Sequence, residues 1–153
     1  MVKFVHKKFI EDIQSDSGVM VIDADLQGAW ELGDQKEMRL AFPRAYEMYH
    51  RNCILGLARV GTSMLIEDSG YKIVILFTKK HRKDSKELVV TNFKLALDDM
   101  LHKVSSDIFI YSSILGRVDG CFNEILQLLY RTVGMKDGFA GYNWYIYNKK
   151  GEN

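Results

Sequence analysis

The chain has 153 residues, of which 47% are hydrophobic and 27% charged, and its formal net charge is +1. These values are ordinary for one folded domain, spanning 1–153, with a sizeable core, and the charge gives no global argument for nucleic-acid binding. One proline and no low-complexity segment exclude disorder, and two distant cysteines, Cys53 and Cys121, make neither a disulfide framework nor a zinc site.

No run approaches the roughly 18 apolar residues of a membrane span. The N-terminal string Met1-Val-Lys-Phe-Val-His-Lys-Lys8 has no apolar core followed by a cleavage site. Free thiols and the missing signal predict a cytoplasmic protein without a membrane partner.

Val2 to Ile10 reads as a first strand, and Gln14 to Gly18 as a turn of Ser, Asp and Gly. Val19 to Ile22 is a short buried strand that opens into the loop Asp23–Gly33, with two glycines and three acids. Asp34 is placed to cap the helix that follows, and Pro43 ends or kinks that helix. Ala45 to Cys53 resumes helical. Gly56 and Gly61 bracket a turn before a strand over Thr62–Glu67. Asp68-Ser-Gly70 then joins it to the strand Tyr71–Phe77, which predicts a hairpin.

That second strand, Tyr71-Lys-Ile-Val-Ile-Leu-Phe77, is a continuous apolar run ending abruptly in Thr78, Lys79, Lys80 and His81. Such a run reads as a strand buried on both faces. An amphipathic helix follows, with Leu88, Val89, Phe93, Leu95, Ala96, Leu97, Met100 and Leu101 inward. Lys94, Asp98, Asp99 and Lys103 are expected to face water. Asp107–Tyr111 is another buried strand, Phe122–Arg131 a helix and Asn143–Asn148 the last strand. Strands alternating with helices, interrupted by one hairpin, predict an α/β domain with a central mixed sheet and helices on both faces.

In this fold class ligands bind beyond the carboxyl ends of the strands. Three connections converge there, Asp23–Gly33, Thr78–Lys86 and Ser112–Gly120. Lys79 ends one strand, and Asp119 lies in a loop that follows another. A lysine can act as a nucleophile towards carbonyl-like or anomeric carbons, and a carboxylate can move protons. The plainer alternative is a surface ion pair. The acids Asp23, Asp25, Glu31 and Asp34 would repel a pyrophosphate unless turned away. His6, His50, His81 and His102 show no metal-ligand spacing, and no cofactor pattern is present. Cys121 stands near a helix start, where its thiol pKa can be lowered, but no histidine is assignable as its partner. The aromatics of Tyr142–Tyr147 read as packing rather than a base-stacking platform.

Four strings, in order, resemble the macro domain, the ADP-ribose-binding α/β/α fold. They resemble most the branch containing the terminal ADP-ribose protein glycohydrolase. These are Asp25-Leu-Gln-Gly28, Leu40-Ala-Phe-Pro-Arg-Ala-Tyr46, Gly70-Tyr-Lys-Ile-Val-Ile-Leu-Phe-Thr-Lys-Lys80 and Ile114-Leu-Gly-Arg-Val-Asp119 with Phe122 after it. The resemblance implies a three-layer α/β/α fold that binds ADP-ribose or an ADP-ribosylated macromolecule. It implies that Lys79 attacks the anomeric carbon of the distal ribose and that Asp119 assists. It also implies that Asp25, Gly28, Gly33, Gln35, Gly116, Arg117 and Phe122 line the ligand.

The sequence departs from the family at four places, one of them Gln35, which stands where the family helix opens on a small residue. No acid stands at Lys7-Lys-Phe9, where the family holds the adenine amine. The first phosphate loop reads Glu31-Leu-Gly33 instead of Gly-x-Gly, and Arg117 replaces a glycine of the second. These departures keep open a non-catalytic binding module that has lost the family ligand. A third reading is a nucleic-acid contact through Lys7, Lys8, Lys79, Lys80, Arg82 and Lys83.

Overall fold

The structure is a computed structural model, and it describes residues 2–5, 18–30, 33–81, 83–104, 108–116, 119–134 and 142–147. Its strands are β1 (Val2–Val5), β2 (Gly18–Asp25), β3 (Ser63–Asp68), β4 (Tyr71–Lys79), β5 (Phe109–Ser112) and β6 (Asn143–Tyr147). Its helices are α1 (Gly33–Ala41), α2 (Pro43–Ile54), α3 (Lys86–Lys103) and α4 (Phe122–Leu129), the last running into a π turn over Tyr130–Gly134.

The six strands form one sheet in the order β1-β6-β5-β2-β4-β3. All neighbours are parallel except β3 and β4, the hairpin at one edge. The hairpin turns through Ser69 and Gly70, both with positive φ (55° and 83°), the conformation of a tight two-residue hairpin turn. The expected mixed sheet is therefore present, with parallel β5, β2 and β4 side by side.

β4 explains the layering. From Ile73 to Lys79 every residue is buried, as a strand covered on both faces requires. Val74 and Leu76 point to the layer of α3 and α4, where Val89, Phe93, Leu97, Met100, Ile125 and Trp144 pack. Ile73, Ile75 and Phe77 point to the layer of α1 and α2, with Trp30, Met38, Phe42 and Tyr49. Alternation along one strand thus feeds two cores.

Several boundaries differ from the expected ones. Both β2 and β4 run further than their apolar residues, to Asp25 and Lys79, so Asp23, Asp25, Thr78 and Lys79 are strand residues rather than loop. Pro43 does end one helix, at Ala41, and it opens the next from its first turn. Asp34 lies inside the first turn of α1 rather than at its cap. The strand expected over Val2–Ile10 is described only as Val2–Val5, and the turn at 14–17 lies outside the described residues. On α3, Leu88 and Leu95 are exposed. Asp99 and Lys103, expected in water, do keep part of their surface there and also reach Ser63 of β3.

Candidate active site

The carboxyl ends of β2 and β4 meet with an irregularity. Ala24 pairs with Phe77 but Asp25 pairs with Lys79, so the register steps over Thr78. An extra residue of this kind bends a strand and re-aims the side chains after it. The Thr78 carbonyl is taken up by the side-chain amide of Asn92, buried on α3, at 3.1 Å. Past the bulge the ladder resumes, with the Leu26 N–H donating to the Lys79 carbonyl at 3.1 Å.

Lys79 therefore projects from the end of a buried strand. Its ammonium Nζ donates to Asp119 Oδ1 at 2.9 Å, and the two side chains are 10% and 9% exposed. This is no surface salt bridge. Two opposite charges withdrawn from water to this extent are held by geometry, because desolvation opposes the pairing.

Asp119 comes from the β5–α4 connection. Gly116 in that connection has φ +73°, a left-handed conformation that favours glycine, and a Cβ there would come within 2.4 Å of Ile125 Cδ1 and force that side chain to shift. Its carbonyl accepts the Cys121 N–H at 3.0 Å. Its own N–H donates to Asp23 Oδ2 at 2.9 Å. Burial pushes the Asp23 carboxyl above its ordinary range. The Gly116 N–H draws it back, and the negative charge of Asp119 raises it further. Asp23, Lys79 and Asp119 thus form one electrostatic unit at the ends of β2, β4 and β5.

The other residues implied by the resemblance divide. Asp25 is buried and committed inward, its Oδ1 accepting the Gln27 N–H at 2.9 Å and the Tyr49 hydroxyl at 3.0 Å. Gly28 is packed against α2. Its carbonyl accepts the Tyr46 hydroxyl at 3.0 Å and meets His50 Nδ1 at 2.8 Å. The Gln35 amide donates to the Asp23 carbonyl at 2.8 Å, so it braces the end of β2. Gly33 is exposed with open space around it. Phe122 opens α4, its ring edge-on to Phe4 at 6.4 Å. Arg117, Glu31 and the Lys7-Lys-Phe9 segment lie outside the described residues. Gly116 is thus tied to Asp23, beside the Lys79–Asp119 pair, while Asp25 and Gly28 face the aromatic core.

Cys121 does not have the lowered pKa that a helix start can give. Burial, with Asp119 beside it, pushes its thiol up to about 11. Burial and Asp25 do the same to Cys53. Neither is a poised nucleophile. His50 meets a carbonyl, and so does His102, at 2.6 Å from Asp98 O. No group of three or more metal-ligating side chains occurs among the described residues. No helix among them is long and apolar enough to cross a membrane. Of the basic set considered for nucleic acid, Lys79 is spoken for by Asp119.

Sequence reasoning missed the roles of Asp23 and Asn92. Asp23 stood out only as one acid among four, and nothing in its spacing shows which acid turns towards the second loop.

The backbone matches solved structures along nearly its whole length. The macrodomain of Mycobacterium tuberculosis DarG aligns with a TM-score of 0.79 at 16% identity, covering 98% of this chain and 99% of that one. The chain has the macrodomain fold. A macrodomain protein from Streptomyces coelicolor matches with a TM-score of 0.72 at 10% identity, covering 97% and 99%. Thermosipho africanus DarTG, solved in complex with ADP-ribose, matches with a TM-score of 0.59 at 14% identity, covering 85% of this chain and 38% of that one. No protein-family model matches the sequence, and no curated protein matches it by sequence. The macrodomain fold is thus carried here by a sequence far from those relatives. The resemblance read from its short strings agrees with the backbone.

Proposed function

We propose that this macrodomain binds ADP-ribose, or a closely related nucleotide, beyond the carboxyl ends of β2, β4 and β5. We further propose that it hydrolyses ADP-ribosyl linkages to protein acidic side chains or to nucleobases. The observation that carries the reading is the enclosed Lys79–Asp119 pair at 2.9 Å. The ADP-ribose held by the Thermosipho DarTG structure supports the ligand class.

The pair supplies what displacement at an anomeric carbon needs. Lys79 gives a proton to Asp119 and becomes a neutral amine. Its Nζ then forms a bond to the anomeric carbon while the bond to the target's oxygen or nitrogen breaks, and the leaving group departs with the electron pair. Water subsequently releases ADP-ribose and restores the amine. Asp119 is within hydrogen-bond reach of the proton it must move.

A non-catalytic binding module on the same fold is the second reading. It is favoured by the inward commitment of Asp25 and Gly28, which takes two of the implied ligand residues into the contacts of α2. Titration with ADP-ribose by calorimetry, followed by hydrolysis of an ADP-ribosylated acidic peptide, separates the two. Catalysis requires binding, turnover by the wild type and loss of turnover in Lys79→Ala. Binding without turnover leaves a non-catalytic ADP-ribose-binding module. No binding at millimolar ADP-ribose removes the hydrolase reading and leaves a module that has lost the family ligand.

A further inference from the structure

Asp23 has no part in the displacement chemistry above, yet it is held more firmly than a strand-end acid needs. Its backbone carbonyl accepts the Gln35 amide at 2.8 Å, and its Oδ2 accepts the Gly116 N–H at 2.9 Å. Gly116 is bound on both sides. The N–H is tied to β2, and the carbonyl is tied to the Cys121 N–H at 3.0 Å and the Cys121 thiol at 3.6 Å. Asp119 stands between Gly116 and Cys121 in the chain. Gly116 itself adopts φ +73°, a left-handed conformation that favours glycine, with the Ile125 side chain packed close by.

We propose that Asp23 is the positioning residue of this site: by accepting the Gly116 N–H it fixes the β5–α4 loop, and so places Asp119 against Lys79. It acts through Gly116 and touches no reacting atom. An acid placed where burial and the neighbouring Asp119 charge both oppose its ionisation fits such a use. The kinetic consequence of this inference rests on the proposed hydrolysis, but the tether does not.

Two variants separate the hydrogen bond from bulk and charge. Asp23→Asn keeps an oxygen acceptor, and Asp23→Leu keeps the size without one. In the free protein, amide hydrogen exchange at Gly116 is expected to accelerate about 10-fold in Asp23→Leu and to return near the wild-type rate in Asp23→Asn. On an ADP-ribosylated acidic peptide, Asp23→Leu is expected to lower kcat by about 100-fold, with KM nearly unchanged, because a misplaced group costs turnover more than binding. Asp23→Asn is expected to restore most of that loss.

A Gly116 exchange rate in Asp23→Leu equal to that of the wild type overturns the proposal. So does a loss of kcat that Asp23→Asn does not repair. If the wild type hydrolyses nothing, the functional reading falls by itself, and exchange at Gly116 in the three proteins still decides the role of Asp23.

Discussion

Lys79 and Asp119 lie forty residues apart in the chain, and their side chains meet at 2.9 Å with little exposure to water. Removing one partner leaves the other charge enclosed without its ion-pair partner. Lys79→Met is expected to destabilise the fold by about 3 kcal/mol in urea denaturation, and Asp119→Leu by a similar amount. The double variant is expected to be more stable than the sum of the singles implies, with a coupling of about 2 kcal/mol. Additive single effects would show that the pair is not formed in solution. Each single variant is also expected to lose hydrolase turnover.

Asp23 makes stability depend on pH. Its carboxyl pKa is raised above the ordinary 3.8, first by burial. A raised acid favours the folded state while protonated, so that contribution is present below 3.8 and is lost as pH rises through the raised value. Asp23→Asn removes this loss. The variant and the wild type are expected to be of similar stability near pH 4. Above that the variant gains on the wild type and is the more stable of the two at neutral pH. Chemical denaturation of both proteins across pH 4 to 8 measures this. A difference that is flat, or that shrinks towards neutral pH, contradicts the assignment.

How far the sequence was legible depended on which force placed each residue. β4 was readable because Ile73 to Phe77 is an unbroken apolar run, and burial decides such segments. The break at Pro43 was readable because a ring without an N–H cannot continue a helix. Lys79 and Asp119 were readable as candidates because the fold class brings strand ends together. The strand ends themselves were not. Asp25 and Thr78 extend β2 and β4 because Tyr49 and Asn92, distant in the chain, satisfy them. Periodicity assigned Asp99 and Lys103 to the polar side of α3, correctly, but it carries no information on whether that side meets water or the end of a strand. The tether from Asp23 to Gly116 spans 93 residues and leaves no local signature at all.

Helix α2 begins at Pro43 with Phe42 as its cap residue, which has no side-chain hydrogen bond to offer. The missing cap is supplied from the hairpin. Asp68, buried at the end of β3, accepts the Ala45 N–H through Oδ2 at 3.0 Å, while Ser69 Oγ donates to its Oδ1 at 2.9 Å. A carboxylate at a helix N-terminus satisfies an otherwise unpaired donor and complements the helix dipole. Asp68→Ala is expected to cost about 1–2 kcal/mol, and Asp68→Asn clearly less, in thermal or urea unfolding. Equal costs for both would mean that the hydrogen bond is not the source.

The edge strand β3 is pinned by α3 through one carboxylate. Asp99 Oδ2 accepts the Ser63 N–H at 2.7 Å and the Ser63 hydroxyl at 2.8 Å. Lys103 donates to Asp99 at 2.8 Å and to the Ser63 carbonyl at 2.6 Å. Burial pushes the Asp99 carboxyl up, but Lys103 and the Ser63 donors outweigh it, and the net direction is down from 3.8. A lowered acid stabilises the fold above its unfolded value, and that stability is lost as pH falls through the folded value. The clamp is therefore expected to hold at neutral pH and to release only in acid, below about pH 4. Asp99→Ala should imitate that release at neutral pH. The expected readouts are faster exchange of the Ser63 amide and a global loss of about 1 kcal/mol. Exchange at Val74 and Leu76, in the buried strand beside β3, should follow only the global loss. If those amides accelerate as much as Ser63, the clamp is not local, and Asp99 would be holding the sheet as a whole.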